Sequence, residues 1–85
     1  MLPVDDDDLL ARISHLMTAE QDLLGSALLS GERVEIDYVD TRGRLTTRVV
    51  SDLDEDGPLL VGWCELRDDE RMFSPEGILA VRPAR

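Results

Sequence analysis

In this chain of 85 residues, arginine is the residue type best suited to form a binding site. All nine basic residues are arginine and none is lysine. Arg44 and Arg48 lie four residues apart, which places them on one face of a strand, and Arg67 and Arg71 bracket a turn. A guanidinium group presents a planar fork of N–H donors that matches phosphate and carboxylate oxygens. If the strands that carry them are neighbours, the four side chains converge on an anion site.

A purely structural role for these arginines is the competing interpretation. Four acidic residues are close to them in sequence: Glu65, Asp68, Asp69 and Glu70. Surface ion pairs contribute only about 0–1 kcal/mol each and form readily between adjacent opposite charges. On the residues alone, pairing at the surface is favoured over an anion site. Strand register decides between the two, since it fixes which side chains point together.

The remaining residues give little evidence for a catalytic site or a metal site. A single His15 and a single Cys64 cannot assemble a nucleophile with its base or a zinc site. The segment Asp52–Gly57 reads D-x-D-x-D-G, like the start of a calcium loop, but its twelfth position is Trp63 rather than glutamate. We therefore predict an acidic hairpin turn, no metal, no cofactor and no enzymatic activity. Cys64 is expected to pack as a small apolar residue, and His15 to lie on the exposed side of the first helix.

The net charge of −10 limits the classes of partner. It opposes passive binding to nucleic acid or to an anionic membrane, although a local basic pocket remains possible. The N-terminus lacks the basic and apolar regions of a signal peptide, and no apolar run reaches the roughly 18 residues of a membrane span. A lone cysteine cannot form an internal disulfide, which favours a cytoplasmic location.

The first 31 residues read as an acidic helical segment. Apolar residues recur at helical spacing and form an amphipathic stripe: Leu9, Ile13, Leu16, Leu23 and Leu24. Thr18 and Gln21 match a capping box that would start a second helix ending at Gly31, but the spacing also allows one long, bent helix. The stripe is longer than a small sheet needs as a lid. We therefore expect it to form an interaction face for a protein partner or a second copy.

Residues 32–85 change to the two-residue period of strands. Val34, Ile36 and Tyr38 alternate with Glu35 and Asp37, which indicates a strand with one wet face. Four more short strands follow, separated by turn signals, and "LLVGWCEL" is the most apolar and the expected central strand. The predicted fold class is α+β, mainly β: a helix or helix pair followed by a small five-stranded Sm-like or SH3-like β-barrel, all in one compact domain.

The order of features from Leu23 onward resembles the WYL domain of bacterial transcriptional regulators. The shared features are a helix with the segment "LLGSALL", a strand ending in Tyr38, a turn with Gly43, and "WCELRDDERMF" followed by Ile78. The positions of the Trp-Tyr-Leu signature carry Pro58-Leu59-Leu60 here, so only the leucine is retained. The resemblance spans about residues 20–82.

The resemblance implies an Sm-like or SH3-like barrel that senses ligands or oligomerises. Its basic and aromatic pocket, carried over by position, is formed by Tyr38, Arg48, Arg67, Arg71 and Phe73. The implied ligand is a nucleotide or single-stranded nucleic acid. Because the chain begins at Met1 and contains no helix-turn-helix, we expect a stand-alone module that modulates a transcription-related partner, with a ligand-free interaction or oligomerisation module as the alternative.

Overall fold

The computed structural model describes residues 5–84, with side chains from residue 9 onward. Two helices, α1 (Asp5–Arg12) and α2 (Thr18–Ser30), precede five strands. The strands are β1 (Val34–Val39), β2 (Leu45–Asp56), β3 (Leu59–Cys64), β4 (Asp69–Phe73) and β5 (Ile78–Pro83), with a 3-10 turn at Pro75–Gly77 before the last. The α+β class with mostly strands is therefore confirmed.

The helical segment forms two helices, and the predicted cap is wrong by one residue. Met17 is the N-cap of α2, with extended backbone angles, and its amide donates to Glu20 Oε1 at 3.0 Å. Glu20 therefore fills the third position of the capping box, while Gln21 donates back to the Leu16 carbonyl at 3.0 Å. The predicted end at Gly31 is confirmed, because its φ of 79° is the left-handed conformation that closes a helix.

The five strands form one antiparallel sheet in the order β4-β3-β2-β1-β5. The central strand is β2 and not the more apolar β3, contrary to the prediction from hydrophobicity. Twelve-residue β2 pairs through its first half with β1 and through its second half with β3. The register shifts between Ser51 and Asp54, and Asp52 has a φ of 53°, so a bulge separates the two halves. The edge strands β4 and β5 are not paired with each other, so the sheet is open rather than closed into a barrel.

The turn after α1 and the first turn of α2 contact the edge strand β5. Glu20 Oε2 accepts the Val81 amide at 3.2 Å, and His15 Nε2 lies 2.6 Å from the Ile78 carbonyl oxygen. His15 is thus in the turn after α1, exposed but bonded to β5, and not on the exposed side of a helix as predicted. The two side chains satisfy backbone groups that an edge strand would otherwise leave free.

The amphipathic stripe packs into the core, so the predicted interaction face is wrong. Ile13, Leu16 and Leu24 are buried, and Leu9 and Leu23 are partly buried against the same cluster. The physical reason is that an open sheet has an apolar face to cover, and α2 lies across β2 and β5 to cover it. Cys64 is fully buried in this core, as expected for a small apolar residue. No helix in the described part of the chain is long and apolar enough to cross a membrane.

Candidate anion-binding site

Strand register places Arg48 on the core-facing side of the sheet. On β1 and β2 the paired residues Val34 and Val50 are both buried, and Arg48 precedes Val50 by two positions on the same face. Arg48 pairs with buried Ile36 across the strands. Its guanidinium donates from Nε to Thr46 Oγ1 at 3.0 Å, and its Nη1 lies 3.6 Å from Cys64 Sγ.

Arg71 reaches the same face from β4. Its neighbour two positions on, Phe73, is buried and pairs with buried Leu60, so Arg71 shares the core-facing row. The residue opposite Arg71 is Gly62, which presents no side chain there. A β-carbon at Gly62 would lie 2.9 Å from Leu53 Cδ2 and 3.2 Å from the Ser51 carbonyl oxygen, so glycine lets β3 pass close to the bulged part of β2.

Two turns bring the other arginines to this end of the sheet. Arg67 lies in the turn between β3 and β4, where its amide donates to the Cys64 carbonyl at 3.2 Å. Arg44 lies in the turn between β1 and β2, where Asp40 Oδ1 accepts the Arg42 and Arg44 amides at 2.9 Å each. These amides, that of Arg44 first, hold the pKa of Asp40 below its usual value, so the carboxylate stays charged.

The four arginines line one cavity of about 360 Å³. Every residue predicted as a ligand contact is in its lining: Tyr38, Arg48, Arg67, Arg71 and Phe73. The lining also contains Arg44, Asp40, Thr41, Thr46 and Met72. Four arginines and one aspartate give this cavity a formal balance of three positive charges in a chain of net charge −10.

The surface pairing that the sequence favoured is wrong. Glu65 forms a two-bond ion pair with Arg33, at 2.7 and 3.1 Å, rather than with Arg67 or Arg71. Within the described residues, Arg48, Arg67 and Arg71 have no carboxylate within 4.0 Å. Arg44 alone among the four has an acidic partner, with Nε 3.5 Å from Asp40 Oδ2. Arg48, Arg67 and Arg71 therefore line the cavity without an ion pair to the described part of the chain.

The two aromatic residues of the lining serve the packing of the fold. Their rings meet edge to face, with centroids 5.1 Å apart and planes at 85°. The Tyr38 hydroxyl accepts the Ser74 amide at 2.9 Å, and only 2% of Phe73 is exposed. Tyr38 and Phe73 thus line the cavity as packed parts of the fold.

Sequence reasoning missed Asp40, Thr41, Thr46 and Met72. The turn "DTRG" is a visible signal for Asp40, because an aspartate that begins a turn accepts the amides two to four residues on. The threonines carry no such signal. Thr46 enters the site only because it pairs with Tyr38 across β1 and β2.

A second cavity of about 350 Å³ lies on the helix side. It differs from the first cavity in that the arginine in its lining is paired with a carboxylate. Its lining includes Arg12, Glu55, Pro58 and Leu59. Arg12 donates to both carboxylate oxygens of Glu76 and to the Pro58 carbonyl, so its charge is already compensated. The Arg12 guanidinium, followed by the Ser74 hydroxyl, lowers the pKa of Glu76 to about 2. In the described residues no cluster of three or more histidine, cysteine or acidic side chains is placed to hold a metal ion.

Comparisons with known proteins add no relative. No protein-family model, no curated protein and no solved structure matches this chain.

Proposed function

We propose that the chain is a WYL-like regulatory module that binds an anionic ligand, a nucleotide or single-stranded nucleic acid, in the arginine-lined cavity. Binding there would modulate a transcription-related partner. One observation carries the proposal: Arg48, Arg67 and Arg71 line one cavity and have no acidic partner among the described residues. Uncompensated guanidinium groups on a folded scaffold are costly to cluster, and an anion removes their mutual repulsion.

The same proposal includes the finer fold, an open version of an Sm-like or SH3-like barrel. Supporting it, β2 is long, carries a bulge and contributes to two differently paired halves of the sheet, which is how small barrels turn their corners. The helix α2 covers the face that the open sheet leaves uncovered.

The charge distribution explains how an acidic chain can still bind an anion. Screening reduces the effect of exposed carboxylates beyond about 8–10 Å at moderate salt, so the nearby arginines dominate the field inside the cavity. Three of the described arginines outside the cavity are paired with carboxylates. Arg82 donates to Asp37 and Glu35 on the wet face, Arg33 donates to Glu65, and Arg12 donates to Glu76. This pairing leaves three arginines without an ion pair to a described residue, Arg48, Arg67 and Arg71, together in one cavity.

The test is a titration of the protein into a short, end-labelled single-stranded oligonucleotide, followed by fluorescence anisotropy at two salt concentrations. We expect saturable binding that weakens as salt rises. If three arginines contact phosphates, the slope of log K against log salt is about −2, from about −0.7 per contact on a single strand. Absence of binding at low salt, or a slope near zero, would contradict the proposal.

A further inference from the structure

We infer that the arginine-lined cavity recognises a terminal phosphate group and takes no contribution from a base. The ligand class is a phosphate monoester, either a small molecule or the phosphorylated end of a nucleic-acid strand. The inference rests on the proposed anion site. It narrows the class of ligand, because it assigns recognition to the phosphate group and not to the groups attached to it.

The charge of the lining fits a monoester better than a backbone phosphate. The cavity has a formal balance of three positive charges. A phosphate monoester carries about −1.5 to −2 at pH 7, whereas each internal phosphodiester carries only one negative charge. Three guanidinium forks also match the three free oxygens of a terminal phosphate, and a diester has only two.

The aromatic side chains of the cavity lining are engaged in the packing of the fold. Tyr38 has its hydroxyl bonded to the Ser74 amide and its ring packed against Phe73, which is buried. Trp63 is exposed but belongs to the other face of β3, because its neighbours Gly62 and Cys64 are the buried, core-facing residues. Stacking on an aromatic ring contributes about 1–3 kcal/mol per base in single-strand binders, and the two rings of the described lining are packed against each other instead.

The residues at the signature positions lie elsewhere. Pro58 and Leu59, which replace the Trp and Tyr of the family signature, line the second cavity together with Leu60. They are therefore not part of the arginine-lined cavity. The volume of about 360 Å³ is at the small end of ligand sites, which suits a compact ester rather than successive nucleotides.

The experiment compares four probes by isothermal titration with the full chain: inorganic phosphate, ribose 5-phosphate, adenosine 5′-monophosphate and adenosine. We expect the two monoesters to bind within about threefold of each other and adenosine not to bind. Binding of adenosine, or a monophosphate affinity more than about tenfold above that of ribose 5-phosphate, would overturn the inference, since either requires a contact to the base.

A second arm separates this inference from the proposed function. One oligonucleotide is prepared with a 5′-phosphate and again with a 5′-hydroxyl. We expect at least a fivefold tighter complex with the phosphorylated form, which would support recognition of the terminal group in a strand. Equal, salt-dependent binding of the two forms overturns the inference while the anion site stands. If neither oligonucleotide nor any monoester binds, both the inference and the proposed function fail.

Discussion

Replacing Arg71 with alanine is expected to weaken binding of a single-stranded oligonucleotide by about 10- to 100-fold. Arg71 lines the cavity and has no acidic partner among the residues that the structure describes, and a hydrogen bond to a charged group contributes about 1.5–3 kcal/mol. The midpoint of thermal unfolding should hardly change, because an exposed residue without such a partner usually alters stability by no more than about 0.5 kcal/mol. Anisotropy titrations and thermal melts of the two proteins measure both effects.

Arg42→Ala is the matched control for charge. Arg42 is an exposed arginine of the turn between β1 and β2, and it is not in the lining of the cavity. Removing it changes the net charge by the same amount as Arg71→Ala, so we expect a loss of about twofold or less. Equal losses in the two variants would show a general charge effect, and an unchanged affinity in Arg71→Ala would remove Arg71 from the site.

Replacing Leu24 with alanine is expected to lower the free energy of unfolding by about 2–5 kcal/mol. Leu24 is fully buried between α2 and the sheet, so truncation loses its burial and leaves a cavity. A domain of this size has a total stability of only about 4–13 kcal/mol, so the variant should lose much of it. Urea denaturation followed by circular dichroism gives the value.

Leu29→Ala is the control on the same helix. Its side chain is 92% exposed, so we expect a change within about 0.5 kcal/mol. This pair tests directly whether the amphipathic stripe is core or interaction surface. A stable, folded Leu24→Ala protein that loses only self-association would restore the interaction face and contradict the burial of the stripe.

The helices and strands could be predicted well from short sequence patterns, because the interactions that form them join residues close in sequence. The alternation of Val34, Ile36 and Tyr38 with Glu35 and Asp37 follows from the pleat of a strand, and in β1 Val34 and Ile36 are buried while Glu35 and Asp37 are partly exposed. Gly31 ends α2 because only a left-handed residue closes the helix at that point. The predicted N-cap of α2 was wrong by one position, because Thr18 and Met17 each precede an acid or amide by three residues. The bond that forms is from the Met17 amide to Glu20.

The features that required the structure are non-local. The bulge near Asp52 divides β2 into a half that pairs with β1 and a half that pairs with β3, and β2 is the central strand although its residues are less apolar than those of β3. Glu65 forms its ion pair with Arg33, which is 32 residues away in sequence, and not with Arg67 or Arg71. Neither is readable from neighbouring residues, because both depend on which strands meet and in which register.

The most direct test of the central claim is to observe the guanidinium groups themselves. In a two-dimensional ¹H–¹⁵N spectrum of the wild-type protein, each arginine Nε–H gives one signal, assigned through single Arg→Lys variants. On titration with inorganic phosphate and then with a 5′-phosphorylated oligonucleotide, we expect the Arg48, Arg67 and Arg71 signals to move. Arg33 and Arg82 are held in ion pairs outside the cavity and should stay in place. Signals of the three cavity arginines that do not move at saturating ligand would contradict an anion site there.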